Sequence, residues 1–132
     1  ALLNVKLKYL DAWTKRRRKI ASVYYERFKN LDMIVPHDRI NEKSVYHTFI
    51  IQTKYRDELK KFLSDSGIDT KIHYPIPIHF QKAAKHLNYK KGDYPVTEKQ
   101  VKTILSLPIY PELTDEQVNY ISDKVIEFHK SK

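Results

Sequence analysis

Cysteine is absent from the 132-residue chain, which removes disulfide scaffolds, thiol nucleophiles and every cysteine-containing zinc site. A reducing, cytoplasmic compartment is compatible with that absence. Glycine is almost as scarce. Only Gly67 and Gly92 occur, far apart in the chain, so neither a Walker loop nor a dinucleotide-binding fingerprint, each built on clustered glycines, can be assembled. No uninterrupted apolar run approaches the roughly 18 residues of a membrane span, and no membrane partner is expected. The opening Ala1-Leu2-Leu3-Asn4 lacks the basic leader and apolar stretch of a signal peptide. The only methionine is Met33, and the expectation is a fragment or a processed piece.

What is present is charge of one sign. Lys plus Arg number 25 against 16 Asp plus Glu, a formal net charge of +9. With 41% hydrophobic residues, a single domain of this length can bury a core of roughly two-thirds of its unfolded surface. A basic chain with ten tyrosines invites nucleic acid as a partner. Against that, no RRM, zinc-finger or helix-turn-helix signature occurs. Acids are also interspersed among the bases, as in Asp57-Glu58-Leu59-Lys60-Lys61, the pattern of an ordinary solvated helix face.

Hydrophobic periodicity orders the chain. Leu3, Leu7, Leu10, Trp13, Ile20, Tyr24 and Phe28 recur at three and four and predict one long helix over residues 2 to 28, a connector in appearance. Arg17 falls on that stripe, where it either reaches an anion or snorkels to water. Short strands are predicted at 33–35 and at 45–52, the second with Val45, His47, Phe49 and Ile51 on one face. That alternation makes His47 an inward-facing residue, read as a hydrogen-bonded core histidine before a catalyst. A helix over 54–66 ends at Gly67, the residue suited to a left-handed C-terminal position, and Ile68, Thr70 and Ile72 alternate as a third strand. A short helix near 80–87 and a turn at Lys91-Gly92-Asp93 follow. Two further helices are each predicted from a capping box, Thr97 with Gln100 and Thr114 with Gln117. Pro108 is expected to stop the first, and Val118, Ile121, Val125 and Phe128 form the buried stripe of the second. The order implies an α+β fold, a long N-terminal helix plus a small, mainly antiparallel sheet covered by helices.

Functional groups concentrate in His73-Tyr74-Pro75-Ile76-Pro77-Ile78-His79. Its two prolines forbid a helix and an interior ladder position. An ordered loop presenting imidazole and phenol groups suits sugar hydroxyls or phosphate oxygens; the alternative is that the prolines only turn the chain and the rings pack beneath. A metal held by His73 and His79 lacks a nearby carboxylate to complete its site.

Three ordered blocks carry a resemblance. They are Gly67-Ile68-Asp69-Thr70-Lys71-Ile72-His73-Tyr74-Pro75-Ile76-Pro77-Ile78-His79-Phe80-Gln81, Tyr89-Lys90-Lys91-Gly92-Asp93-Tyr94-Pro95 and Leu105-Ser106-Leu107-Pro108-Ile109-Tyr110-Pro111. Together with the N-terminal Ala1-Leu2-Leu3, Leu7, Leu10, Trp13, Arg16-Arg17 and Ile20-Ala21, they resemble the DegT/DnrJ/StrS-type nucleotide-sugar aminotransferases, pyridoxal-phosphate enzymes of fold type I.

The resemblance implies residues 1–30 as the interdomain connecting helix and 31–132 as the C-terminal small domain, with the catalytic large domain absent from this chain. The family's cofactor-bearing lysine, its pyridine-nitrogen acid and its phosphate-binding groups belong to that upstream part, so no catalytic, cofactor-binding or metal-binding residue is expected here and the isolated chain is expected to be inactive. Lys71, the one strand lysine, is not expected to replace the missing one. Carried over by position, His73, Tyr74 and His79 become the candidate substrate contacts. The implied partner is a nucleoside-diphosphate keto-deoxysugar, aminated from glutamate by an enzyme that is a homodimer when intact. The loop is most similar to members that make 3-amino sugars. A free-standing basic module for nucleotide sugar or nucleic acid is the alternative.

Overall fold

The computed structural model describes residues 2–132; Ala1, the first residue of the matched N-terminal text, lies outside them. The N-terminal helix forms as two pieces, α1 (Leu2–Leu7) and α2 (Leu10–Phe28), joined by a turn in which Tyr9 N–H donates to Lys6 O at 3.0 Å. This corrects the single helix expected over residues 2 to 28. Ile20, Tyr24 and Phe28 of the stripe are buried, with Ala21 beside them, whereas Leu3, Leu7 and Leu10 are exposed. A short helix without tertiary packing is marginal in water, and α1 buries no residue, so nothing enforces continuity through Lys8 and Tyr9.

Two antiparallel strands, β1 (Phe49–Gln52) and β2 (Ile104–Leu107), form the sheet, with Phe49 opposite Leu107 and Ile51 opposite Leu105. Single antiparallel bridges extend it on both sides, Ile34 to Gln52 and Lys71 to Ser106. The strands expected at 33–35 and 68–72 are thus reduced to one bridge each. The strand expected over 45–52 also shortens, because Tyr46 takes a left-handed φ of 47° and breaks the alternation before Phe49. His47 is consequently exposed, a correction to its inward placement. The Tyr46 hydroxyl instead donates to Asp38 Oδ1 at 2.8 Å.

One face of this layer supplies the core. Phe49, Ile51, Leu105 and Leu107 pack against Ile20, Tyr24 and Phe28 of α2, with Leu59 and Leu63 of α3 (Arg56–Asp65) and Val118, Val125 and Phe128 of α5 (Asp115–Lys130) in the same cluster. Gly67, at φ +76°, follows α3 in the left-handed conformation its sequence position predicts. Helix α5 begins with a complete capping box: Thr114 Oγ1 accepts from Gln117 N–H at 3.2 Å and Gln117 Oε1 accepts from Thr114 N–H at 3.0 Å. Arg16 and Lys19 of α2 reach Asp115 at its first turn, at 2.6 and 2.7 Å.

Helix α4 (Pro95–Thr103) departs from its expected signals. It starts on Pro95 with Tyr94 before it and no side-chain cap, so the Thr97 and Gln100 box does not form. It ends at Thr103, and β2 intervenes before Pro108. The apolar Ile104-Leu105-Ser106-Leu107 is drawn into the ladder by its partner strand, a tertiary effect that overrides the local proline signal. The helix expected near 80–87 is a pair of 3-10 turns, Ile78–Phe80 and Lys82–Leu87, ended by Asn88 at φ 55°.

Candidate functional site

The second face of the sheet carries the site. Ile50 and Gln52 of β1 and Ile104 of β2 floor a cavity of about 370 Å³, walled by the proline loop on one side and by α4 on the other. His73 and Tyr74 both line it. Its remaining polar groups are Gln52, Gln81, Thr97 and Gln100, so the lining holds no carboxylate and neither lysine nor arginine. Neutral amides both donate and accept. Such a surface hydrogen-bonds hydroxyls or amides without attracting charge.

His73 is held from below. Its Nδ1 lies 2.9 Å from Ser106 Oγ, and Ser106 is buried in β2, where its N–H donates to Lys71 O at 2.8 Å and its carbonyl accepts from Lys71 N–H at 3.2 Å. The ring is therefore positioned by a side chain that is itself fixed by the sheet, leaving Nε2 for another partner. The peptide between His73 and Tyr74 is cis, and the two rings meet edge to face with centroids 5.7 Å apart. Tyr74 is 72% exposed, its ring held by little else.

His79 does not join them. Its side chain is only 7% exposed, with Phe80 and Tyr94 rings at centroid distances of 4.1 and 4.8 Å. Its Nε2 lies 3.4 Å from Glu98 Oε1, close enough to attract when the ring is protonated but without the geometry of a hydrogen bond. Glu98 Oε1 also accepts from Gly92 N–H at 2.8 Å. That bond is the main influence holding the Glu98 carboxyl below its ordinary range, and His79 adds a smaller one. His79 thus fastens the loop to the start of α4 and lines a separate cavity of about 350 Å³ with Gln81, Lys85, Asn88 and Lys90.

A larger space of about 750 Å³ lies between Gly67–Asp69 and α5, and three of its polar groups already have partners. Tyr120 Oη donates to Ser66 O, Asp69 pairs with Lys71 and Gln117 caps α5. Arg17 is half-buried, and its Nε is buried without a partner among the described residues. Ser106 and Glu98, the two groups that position the loop histidines, carried no sequence signal of that role. Ser106 lies between two leucines, and its partner is 33 residues away.

A carbonyl cofactor such as pyridoxal phosphate needs a desolvated amine and a cradle for its phosphate. Neither is here. Among the described residues no lysine is buried, Lys71 is largely exposed and paired with Asp69, and both glycines stand in open turns. The residues of this chain do not fit that group.

The whole chain has relatives. The DegT/DnrJ/EryC1/StrS aminotransferase family matches over residues 1–126. The chain belongs to that family. It is 40% identical over 133 residues to a pleiotropic regulatory protein of Geobacillus stearothermophilus, covering 98% of this chain and 36% of the relative. It is 36% identical over 125 residues to the dTDP-3-amino-3,6-dideoxy-alpha-D-galactopyranose transaminase of Aneurinibacillus thermoaerophilus, covering 95% and 34%. Among solved structures, DesV from S. venezuelae in complex with a ketimine intermediate superposes with a TM-score of 0.94 at 34% identity, over 98% of this chain and 35% of that one. A putative sugar aminotransferase from Streptococcus pneumoniae, solved in a PLP form, shares the fold, with a TM-score of 0.85 at 22% identity over 96% of this chain and 34% of that one. The fold is that of fold type I sugar aminotransferases, and the chain spans about a third of the length of the relatives it matches.

Proposed function

We propose that this chain is the C-terminal small domain of a pyridoxal-phosphate-dependent nucleotide-sugar aminotransferase, with residues 1–30 as the connecting helix and residues 31–132 as the domain. The observation that carries the reading is the neutral, amide-lined cavity under a loop whose His73 is anchored by Ser106. His73 Nε2 and the Tyr74 hydroxyl bind the sugar nucleotide, while Gln52 and Gln100 take hydroxyls and Ile50 and Ile104 face the deoxygenated carbons. His79 acts as a positioning residue, through Phe80, Tyr94 and Glu98. The acceptor is a nucleoside-diphosphate keto-deoxysugar, for which the 3-amino-sugar name of the Aneurinibacillus relative is the support. The donor is glutamate, and the intact enzyme is a cytoplasmic homodimer of amino-sugar and polysaccharide biosynthesis. Pyridoxal phosphate supplies the electron sink and is held by residues outside this chain, which supplies substrate orientation.

Two preparations test this. The isolated chain, given pyridoxal phosphate and glutamate, stays colourless and transfers no amino group; the intact enzyme is yellow and active. In the intact enzyme His73→Gln raises KM for the sugar nucleotide about tenfold, the loss of one hydrogen bond of roughly 1.4 kcal/mol, and leaves KM for glutamate unchanged. A yellow, active isolated chain, or an intact protein without transamination, would end the proposal.

A further inference from the structure

Acidic residues are missing from one long stretch: between Ile72 and Gly92 the chain has no Asp or Glu, but it holds Lys82, Lys85, Lys90 and Lys91. Elsewhere some cations are engaged, Arg16 and Lys19 with Asp115, Arg18 with Asp38 and Lys61 with Asp65, and others, such as Lys60, Lys99 and Lys102, are unpaired among the described residues. None of the four lysines has an ion pair among the described residues. The nearest carboxylates downstream are tied to backbone: Asp93 Oδ2 accepts from Lys90 N–H at 2.8 Å, and Glu98 accepts from Gly92 N–H while facing His79. One side of the proline loop therefore carries unpaired lysines in a stretch of chain that has no acidic residue of its own.

It also has a shape. Lys85 and Lys90, together with Asn88 and Tyr89, line the cavity of about 350 Å³ that His79 closes. Asn88 makes this possible: its left-handed backbone, with its N–H donating to Lys85 O at 3.2 Å, reverses the chain so that residues before and after it meet around one space. Gln81 lines both this cavity and the neutral one under the loop. Two adjoining cavities thus differ in charge, one neutral and rich in amides, the other bounded by two lysines with no carboxylate in its lining.

A nucleoside-diphosphate sugar is divided in the same way, into an uncharged sugar and an anionic diphosphate. We infer that the Lys85–Asn88–Lys90 cavity is the subsite for the diphosphate, with Lys85 and Lys90 as its cationic contacts and Asn88 and Tyr89 as neutral donors. The inference rests on the reading of the chain as a binder of nucleotide sugars. Lysine ammonium groups suit it as point charges with rotatable donors, and their exposure makes the attraction dependent on ionic strength. Directing the diphosphate here leaves the sugar at Gln81, between the two cavities, within the reach of His73 and Tyr74.

The probe is inorganic pyrophosphate, titrated at low salt into the protein while backbone amide resonances are followed. Amides of residues 85–91 shift, and those of α3 do not. The Lys85→Gln, Lys90→Gln double variant weakens binding about tenfold or more, whereas Lys60→Gln on α3 leaves it unchanged. Raising the salt from low to physiological concentration weakens binding in the wild type more than in the double variant. Pyrophosphate shifts that survive the double variant, or that map to residues 12–19, overturn the subsite. So does a single-stranded oligonucleotide that shifts the same amides at lower concentration than pyrophosphate, because the patch is then a nucleic-acid surface. The failures are separable. If the intact protein does not transaminate yet pyrophosphate binds in a Lys85- and Lys90-dependent manner, the functional reading falls and the anion site stands. If it transaminates and the double variant leaves KM for the sugar nucleotide unchanged, the function stands and the subsite falls.

Discussion

Replacing Tyr24 by phenylalanine isolates the contact that joins the core to the segment leaving β2. Tyr24 is fully buried, its ring 5.5 Å from that of Phe28 and 5.1 Å from that of Phe49, and its hydroxyl donates to Pro108 O at 3.0 Å. Burial, with a smaller contribution from Tyr110, holds the phenol well above its ordinary pKa, so it remains a donor at every working pH. Tyr24→Phe keeps the ring packing and leaves the Pro108 carbonyl without this donor, at a cost of about 1–2 kcal/mol. Tyr24→Ala removes the ring as well and costs about 3–5 kcal/mol, as large-to-small core changes do. Urea unfolding of both variants measures the difference. With a slope of about 2 kcal/mol per molar urea, the phenylalanine variant loses roughly 0.5–1 M from its midpoint and the alanine variant well over 1 M. A phenylalanine variant as stable as wild type would show that the hydrogen bond contributes nothing. An alanine variant no worse than phenylalanine would show that the aromatic cluster is not the core.

Ser106→Ala frees the His73 ring, and its histidine NMR signals should lose the signature of one fixed tautomer; Ser106→Thr, which keeps a hydroxyl, should restore it, and identical spectra for all three would remove Ser106 as the anchor. Thr114→Ala deletes half of a capping box and should cost α5 about 1 kcal/mol, read as a lower unfolding midpoint; no change would mean the cap is satisfied by water. Acid should destabilise the chain in two stages. The Asp38 carboxyl is lowered first by the Tyr46 hydroxyl and then by Arg18, and the Asp115 carboxyl first by Lys19 and then by Arg16. Their stabilising effect is complete above the unfolded carboxylate range near pH 4 and is lost as pH falls through the lower folded values. Burial lowers His129 from 6.5 against the smaller opposing effect of Asp32, so its contribution is present above that pH and declines below it. Urea midpoints at pH 7.5, 5.5 and 3 that coincide would refute both assignments.

The parts of the fold legible in the sequence were those set by local pattern or by one residue's special backbone. The α5 stripe of Val118, Ile121, Val125 and Phe128 and its capping box read directly, as did Gly67 after α3. The misreadings trace to contacts the local pattern does not announce, or to their absence. β2 is a strand because Phe49–Gln52 lies beside it, and nothing between Thr97 and Pro108 announces that. The leucines of α1 have helical spacing and no partner among the described residues. The site was half legible. The proline loop advertised its histidines, but whether a ring faces a cavity or a carboxylate depends on Ser106 and Glu98, which reach it from β2 and α4.

Ser106 also ties the strand pairing to the geometry of the loop. In β2 it separates Leu105 and Leu107, whose side chains belong to the core, while its own hydroxyl reaches His73 on the loop side. A slip of one residue along β1 would exchange those faces, exposing leucine under the loop and withdrawing the anchor in the same movement. A single insertion inside Ile104–Leu107 would remove the His73 anchor and the core leucines together. Misassembled molecules would therefore reveal themselves by losing both at once, and no partly folded form with a slipped β2 would retain a competent loop.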